Sequence, residues 1–270
     1  MKKIPNINAR DFATILNLNP YQSPFQLLES KVEKRHTFYG NKFTEHGNKY
    51  ENLALQKYSQ LTGNIVNSKQ KNIKHPDFSW ITGRMDGIVN ISQNDTDSIN
   101  NNDIDETNEI IHEIVNDIVD NVESSESLHC KKRKRPSTKF KPNKKRKVSS
   151  PEININDKHI VVEVKCPLNK QIKDLENIND VPKHYWSQVQ VYMNMMNSDI
   201  AHYVEFHIQP DAPEDTGIIK FVPLEKDEVW WNENLPKIVS FYDEVKKYCE
   251  LGSLDSHPVR IAEKQWIDSL

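Results

Sequence analysis

The chain has 270 residues, a formal charge of −3, and only 36% hydrophobic against 28% charged residues, with a mean hydropathy of −0.76. That length holds one large domain or two small ones, but so low an apolar content predicts that part of the chain does not pack. No apolar run approaches the ~20 residues that span a membrane, and none follows Met1-Lys2-Lys3 as a secretory signal would.

Asn17-Leu18-Asn19-Pro20 ends a first predicted helix, and helices are expected over 23–36 and 43–61, the second stopped by Gly63. Strands are expected over 64–73 and 79–91. Residues 91–157 then break the pattern. Residues 91–130 carry 11 acids and no Lys or Arg, residues 131–150 carry 11 Lys and Arg and no acid, and the two stretches cancel. Such a segment buries too little to offset its ordering entropy, so a long disordered insertion is expected. Inside it, Ile110, Ile111, Ile114, Val115, Ile118, Val119 and Val122 repeat at helical spacing. This is either a surface-docked helix or one that binds a partner. Lys131, Lys132, Arg133, Lys134 and Arg135, with Lys144, Lys145, Arg146 and Lys147, form two basic clusters. They read as nuclear-import signals, with DNA tethering or plain solubility as alternatives.

Beyond the insertion, 158–166 is a strand ended by Pro167, and 182–197 is a helix with Pro182 in its first turn. Strands follow over 201–209 and 217–223. Over 227–250, Leu235, Ile238, Val239, Tyr242, Val245 and Cys249 mark an amphipathic helix. Removing 91–157 leaves residues 1–90 and 158–270 as one domain of about 200 residues. Its element order predicts an α/β (α+β) sheet with helices packed on it. Cys130, Cys166 and Cys249 are scattered and form no CxxC pair. The expectation is a reducing, intracellular setting with no iron–sulphur cluster.

Four acidic or amide positions stand on apolar surfaces. Asp86 interrupts a probable-core strand in Gly83-Arg84-Met85-Asp86-Gly87-Ile88-Val89. Glu163 and Lys165 are two apart in a strand and therefore share a face. Glu51 lies in the stripe of Tyr50, Ala54, Leu55, Tyr58 and Leu61, and Gln188 in that of Tyr185, Val189, Tyr192 and Met196. A carboxylate on an apolar face is costly unless paired or bound to metal. The bland alternative for Glu163 and Lys165 is a surface ion pair. The chemistry that fits all four is metal-assisted phosphodiester hydrolysis. Asp86, Glu163 and the carbonyl of Val164 would hold Mg²⁺, with Mn²⁺ able to substitute. Lys165 would orient water, Glu51 would serve a second metal or its water shell, and Gln188 would hold the attacking water or a phosphate oxygen.

Asp86 followed by Glu163-Val164-Lys165 matches the PD-(D/E)XK nuclease signature. The wider pattern resembles the lambda-exonuclease and YqaJ-type viral recombinase family. The matching pieces are Leu18-Asn19-Pro20-Tyr21-Gln22-Ser23-Pro24, Gly47-x3-Glu51-x6-Tyr58-x4-Gly63, Gly83-x2-Asp86-Gly87, Glu163-Val164-Lys165-Cys166-Pro167 and Tyr185-Trp186-Ser187-Gln188-Val189-Gln190. With the Asn-, Lys- and Ile-rich composition, a mimivirus-type member is indicated. The resemblance implies a restriction-endonuclease-like mixed sheet flanked by helices and Mg²⁺-dependent DNA cleavage. The activity expected is 5′→3′ digestion of duplex ends, feeding a single-strand annealing protein, with self-assembly into a homo-oligomer. Alternatives are an endonuclease, a RecB-like defence nuclease, or an inactive DNA-binding or nuclear interaction protein. Asn8-Ala9-Arg10-Asp11 stands where the family has a phosphate-gripping Ser, so Arg10 takes that expectation. Ser23, Arg84, Tyr185, Lys42 and Lys49 complete the candidate DNA contacts. Residues 31–74 carry nine Lys and Arg against three Glu, either a track for the phosphate backbone or a solvated face. The expected workplace is the host cytoplasm or nucleus.

Overall fold

The computed structural model describes residues 4–35, 40–91, 158–168, 175–210 and 212–269. In chain order the elements are β1 (Ile7–Asn8), α1 (Asp11–Ile15), α2 (Pro24–Val32), α3 (Lys42–Thr62), β2 (Val66–Lys74) and β3 (Ile81–Asn90). After the insertion come β4 (His159–Lys165), α4 (Lys183–Met196), β5 (Ile200–His207), β6 (Ile218–Glu225), α5 (Glu228–Leu251) and α6 (Pro258–Asp268).

Local chemistry sets most of these boundaries. Ser23 and Gln26 form a reciprocal capping box ahead of α2, with Pro24 in the first turn. Asn41 and Thr44 do the same for α3, and Gly63 ends that helix with a left-handed φ of 71°. Asp227 caps α5 through the Trp230 amide, and Gly252 closes it at φ 80°. The expected helix over 23–36 is shorter, because Glu33 already caps α2 and Lys34 turns left-handed at φ 56°. The strand expected over 217–223 runs on to Glu225. Helix α6 had no counterpart in the sequence reading, and none of its residues is buried. It is held instead by Arg260, which donates to Glu29 at 2.5 Å and Glu33 at 3.4 Å.

The sheet runs β1-β3-β4-β5-β6, with β2 also paired to β3. β3 is antiparallel to both β2 and β4, β4 is parallel to β5, and β5 is antiparallel to β6. The parallel β4–β5 pair needs a crossover, and α4 supplies it. This is the mixed sheet flanked by helices that the sequence led us to expect. Both faces are covered. Val161, Ala201 and Tyr203 pack with Val189, Tyr192 and Ile238 of α4 and α5. Val162, Val164, Val204 and Phe206 pack with Tyr50, Leu55 and Tyr58 of α3. Burial on both sides explains why β4 reads as a continuous apolar run rather than an alternating one.

Asn90 pairs with His159, and the amide of Ile91 donates to the carbonyl of Lys158 at 3.0 Å. The two ends that flank the insertion are therefore the arms of one antiparallel pair. The amphipathic repeat at 110–122, both basic clusters and Cys130 lie outside the described residues. Cys166 and Cys249 are buried and are not joined in a disulfide. Among the described residues no helix is long and apolar enough to cross a membrane.

Candidate active site

β3 and β4 stay paired only from Asn90↔His159 to Gly87↔Val162. Beyond Gly87 a side chain replaces the ladder: Oδ2 of Asp86 accepts the Val164 amide at 2.9 Å. The two strands are thus held together across their parting by a carboxylate, which puts Asp86 beside Glu163. Two glycines permit the close packing here. A Cβ on Gly83 would lie 2.4 Å from the Tyr192 ring, and one on Gly87 would lie 2.9 Å from Val66 and 3.2 Å from Leu55.

Glu163 is 1% exposed. Its Oε1 accepts from Lys165 Nζ and, at 2.8 Å, from Gln188 Nε2. Its Oε2 is buried with no hydrogen-bond partner. Gln188 also donates to the Tyr192 hydroxyl at 3.0 Å, and that hydroxyl donates to the Arg84 carbonyl at 2.9 Å. A chain of hydrogen bonds therefore ties α4 to the backbone of β3 and to the carboxylate on β4. The Lys165 ammonium also rests over the Tyr185 ring, 4.8 Å from its centroid.

Electrostatics follow from this crowding. Burial, then the charge of Glu163, raises the Asp86 carboxyl to about 7, against the opposing pull of Lys165 and the Val164 amide. Burial works against the charge on Lys165, but Glu163 and Asp86 outweigh it and hold its pKa above the ordinary lysine range. Burial, with Glu51 and Asp86 adding to it, pushes the Cys166 thiol up to about 12, so it stays neutral.

The structure thus brings Asp86, Glu163, Val164, Lys165 and Gln188 into direct contact. Glu51 is buried on α3, which covers the opposite face of β4 from α4, and like Asp86 it raises the Cys166 thiol. Among the described residues no three His, Cys, Asp or Glu side chains gather into a metal-ligand group. Gln188 spends both amide hydrogens on Glu163 and Tyr192 and so grips the acid, which leaves its amide oxygen as the acceptor for a water. Tyr192 is the residue that sequence reasoning missed. Its spacing from Gln188 by one helical turn was the available signal, but it read as part of the apolar stripe.

The candidate DNA contacts scatter. Arg84 is exposed on β3, and Arg10 is exposed in the turn between β1 and α1, where the Ala9 amide donates to the Thr82 carbonyl at 2.7 Å. Lys42 and Lys49 are exposed on α3, each over an adjacent ring. Ser23 is occupied as a helix cap. Of the basic run in 31–74, Lys31 is paired with Asp11 at 2.6 Å and Arg35 with Glu33 at 3.0 Å, so the surplus charge there is smaller than counted.

The donor set fits a hard divalent cation: Glu163 Oε2 is a buried carboxylate oxygen with no hydrogen-bond partner, and burial and Glu163 draw the neighbouring Asp86 carboxyl toward a proton.

The profile of the YqaJ-like viral recombinase domain matches residues 4–199. An uncharacterised protein of Acanthamoeba polyphaga mimivirus is 27% identical over 93 residues, 34% of this chain; the match spans 17% of that relative's length. An alkaline exonuclease (LHK-Exo) from Laribacter hongkongensis shares the fold at 15% identity with a TM-score of 0.57, covering 92% of this chain and 91% of that one. The same exonuclease in complex with dAMP also gives 0.57 at 15% identity, covering 96% and 95%.

Proposed function

The chain belongs to the YqaJ-like viral recombinase family, and from that premise we propose that it is a Mg²⁺-dependent deoxyribonuclease, a 5′→3′ exonuclease on duplex DNA ends. The observation that carries the reading is the pairing of Asp86 with a buried Glu163 whose second oxygen has no partner. Asp86, Glu163 and the Val164 carbonyl would hold the ion. In a strand the carbonyl of a residue points the same way as its amide, and the Val164 amide faces Asp86. Bound Mg²⁺, or Mn²⁺ in its place, supplies charge neutralisation at the scissile phosphate and makes water a stronger acid.

The remaining work falls to side chains. Lys165 keeps its charge throughout the working pH range, orients the attacking water and stabilises negative charge growing on the phosphate oxygens. Gln188, steadied by Tyr192, holds Glu163 in one orientation. Glu51 acts on the outer water shell. Arg10, Arg84, Lys42 and Lys49 meet the phosphate backbone, and Tyr185 backs Lys165. The product, a single-stranded end, calls for an annealing protein as partner in viral recombination or repair.

End-labelled linear and closed-circular duplex, incubated with Mg²⁺ or EDTA, test the reading. Digestion of the linear substrate alone is expected, and it should vanish in Asp86→Asn and Glu163→Gln. Nicked circles would make the protein an endonuclease. Cleavage by neither wild type nor variants would leave a DNA-binding protein that has lost the reaction.

A further inference from the structure

Tyr21 is the most exposed large hydrophobic side chain among the described residues, at 84%. Its backbone is nevertheless firmly held. Asn17 adopts a left-handed φ of 57°, and the amides of Leu18 and Asn19 both donate to the Ala13 carbonyl, at 2.8 and 3.1 Å. The Asn19 side chain donates to Thr14 at 2.8 Å and accepts the Tyr21 amide at 3.0 Å. The capping box of Ser23 and Gln26 fixes the far end of the loop. A rigid loop that turns an aromatic ring into water is presenting that ring, since an unconstrained tyrosine would bury its apolar body.

The ring does not stand alone. It meets the His184 ring nearly at right angles, 87°, at 6.1 Å between centroids. His184 lies 4.1 Å from Tyr185, and Tyr185 carries the Lys165 ammonium over its face. A continuous row of rings thus runs from solvent to the lysine that grips Glu163. Burial, then the charge of Lys165, lowers the pKa of His184, so the row is uncharged at neutral pH up to Lys165. A perpendicular contact with His184 leaves most of the Tyr21 ring open. The ligand such a surface recognises is a flat, weakly polar ring: every nucleobase has a face that stacks on tyrosine, whatever its sequence.

We infer that Tyr21, backed by His184, is a base-stacking platform that receives a nucleobase of the strand whose phosphate meets Lys165. This rests on the nuclease reading for its substrate. One strand of a duplex advances about 3.4 Å per nucleotide, so the three contacts of the row put the stacked base within a few nucleotides of the cut.

The test uses the full chain and duplex DNA carrying a single 2-aminopurine at successive positions from one end. In EDTA, wild type and Tyr21→Trp should quench the fluorescence at one or two neighbouring positions. Tyr21→Ala and Tyr21→Ile should not, although an 84% exposed residue leaves their melting temperature unchanged. With Mg²⁺, Tyr21→Ala should raise KM about tenfold, the scale of one base–aromatic stack, with the loss in KM rather than kcat. Quenching and KM equal to wild type in both Tyr21→Ala and Tyr21→Ile would overturn the platform. Tyr21-dependent quenching without any cleavage would support the platform and sink the nuclease reading. Cleavage without Tyr21-dependent quenching would do the reverse.

Discussion

A carboxylate buried to 1% with one oxygen unpartnered is expensive in any protein, and Glu163 shows how the cost is distributed. Lys165 and Gln188 satisfy one oxygen, the other has no partner, and the neighbouring Asp86 leans toward its protonated form. A dication relieves the second oxygen and the proton together. Binding of an ion to the folded chain alone stabilises it by about 2.7 kcal/mol at a hundred times Kd. Saturating Mg²⁺ should therefore raise the melting temperature of wild type by several degrees. Glu163→Gln should lose that rise when each protein is compared with its own metal-free form. An equal rise in both would place the ion elsewhere. The sequence made Asp86, Glu163 and Lys165 legible because each is a charged side chain on an apolar strand. Tyr192 stayed hidden because a tyrosine in an apolar stripe looks like core until its hydroxyl is seen on the Arg84 carbonyl.

Between elements, the second titratable contact joins α3 to β5. The Tyr58 hydroxyl and His202 Nδ1 share a hydrogen bond of 2.6 Å. Burial lowers the His202 pKa to about 4 and raises the Tyr58 hydroxyl to about 12, so both stay neutral in the fold. The unfolded chain, with His202 near 6.5, binds a proton that the folded chain refuses. Stability from this site is thus complete above pH 6.5 and drains away as pH falls towards 4, by about 3 kcal/mol in all. Urea unfolding at pH 7 and pH 4.5 should register that loss in wild type, and His202→Phe should flatten the difference. An unchanged pH slope in His202→Phe would assign the acid sensitivity to another group. The pairing itself was invisible in the sequence, since 58 and 202 are separated by the insertion, three strands and α4. The end of α3 was visible, because Gly63 acts on its own turn.

At the scale of the whole chain, the charge-separated stretch enters and leaves through neighbouring strand ends, Ile91 and Lys158. Ends so close can be joined by a short hairpin turn. Replacing residues 92–157 with a four-residue Asn-Gly turn should leave the melting transition cooperative and the Mg²⁺-dependent cleavage intact. If the two basic clusters contact DNA, the slope of log K against log salt should fall by about 0.9 for each phosphate released. An identical slope would remove DNA tethering from their roles.

The sequence by itself determined the sheet-and-helix class, the end of α3 and the acids and lysine of the centre. Each of these is written in a few adjacent residues, through period, turn chemistry or a misplaced charge. Only the tertiary structure decided that Asp86 bridges the parting of β3 and β4, that Gln188 and Tyr192 clamp Glu163, and that Glu51 stands across the sheet from α4. It alone decided that Tyr21 meets His184. These arrangements depend on where distant segments close against each other, which the packing of both sheet faces sets and no local pattern encodes.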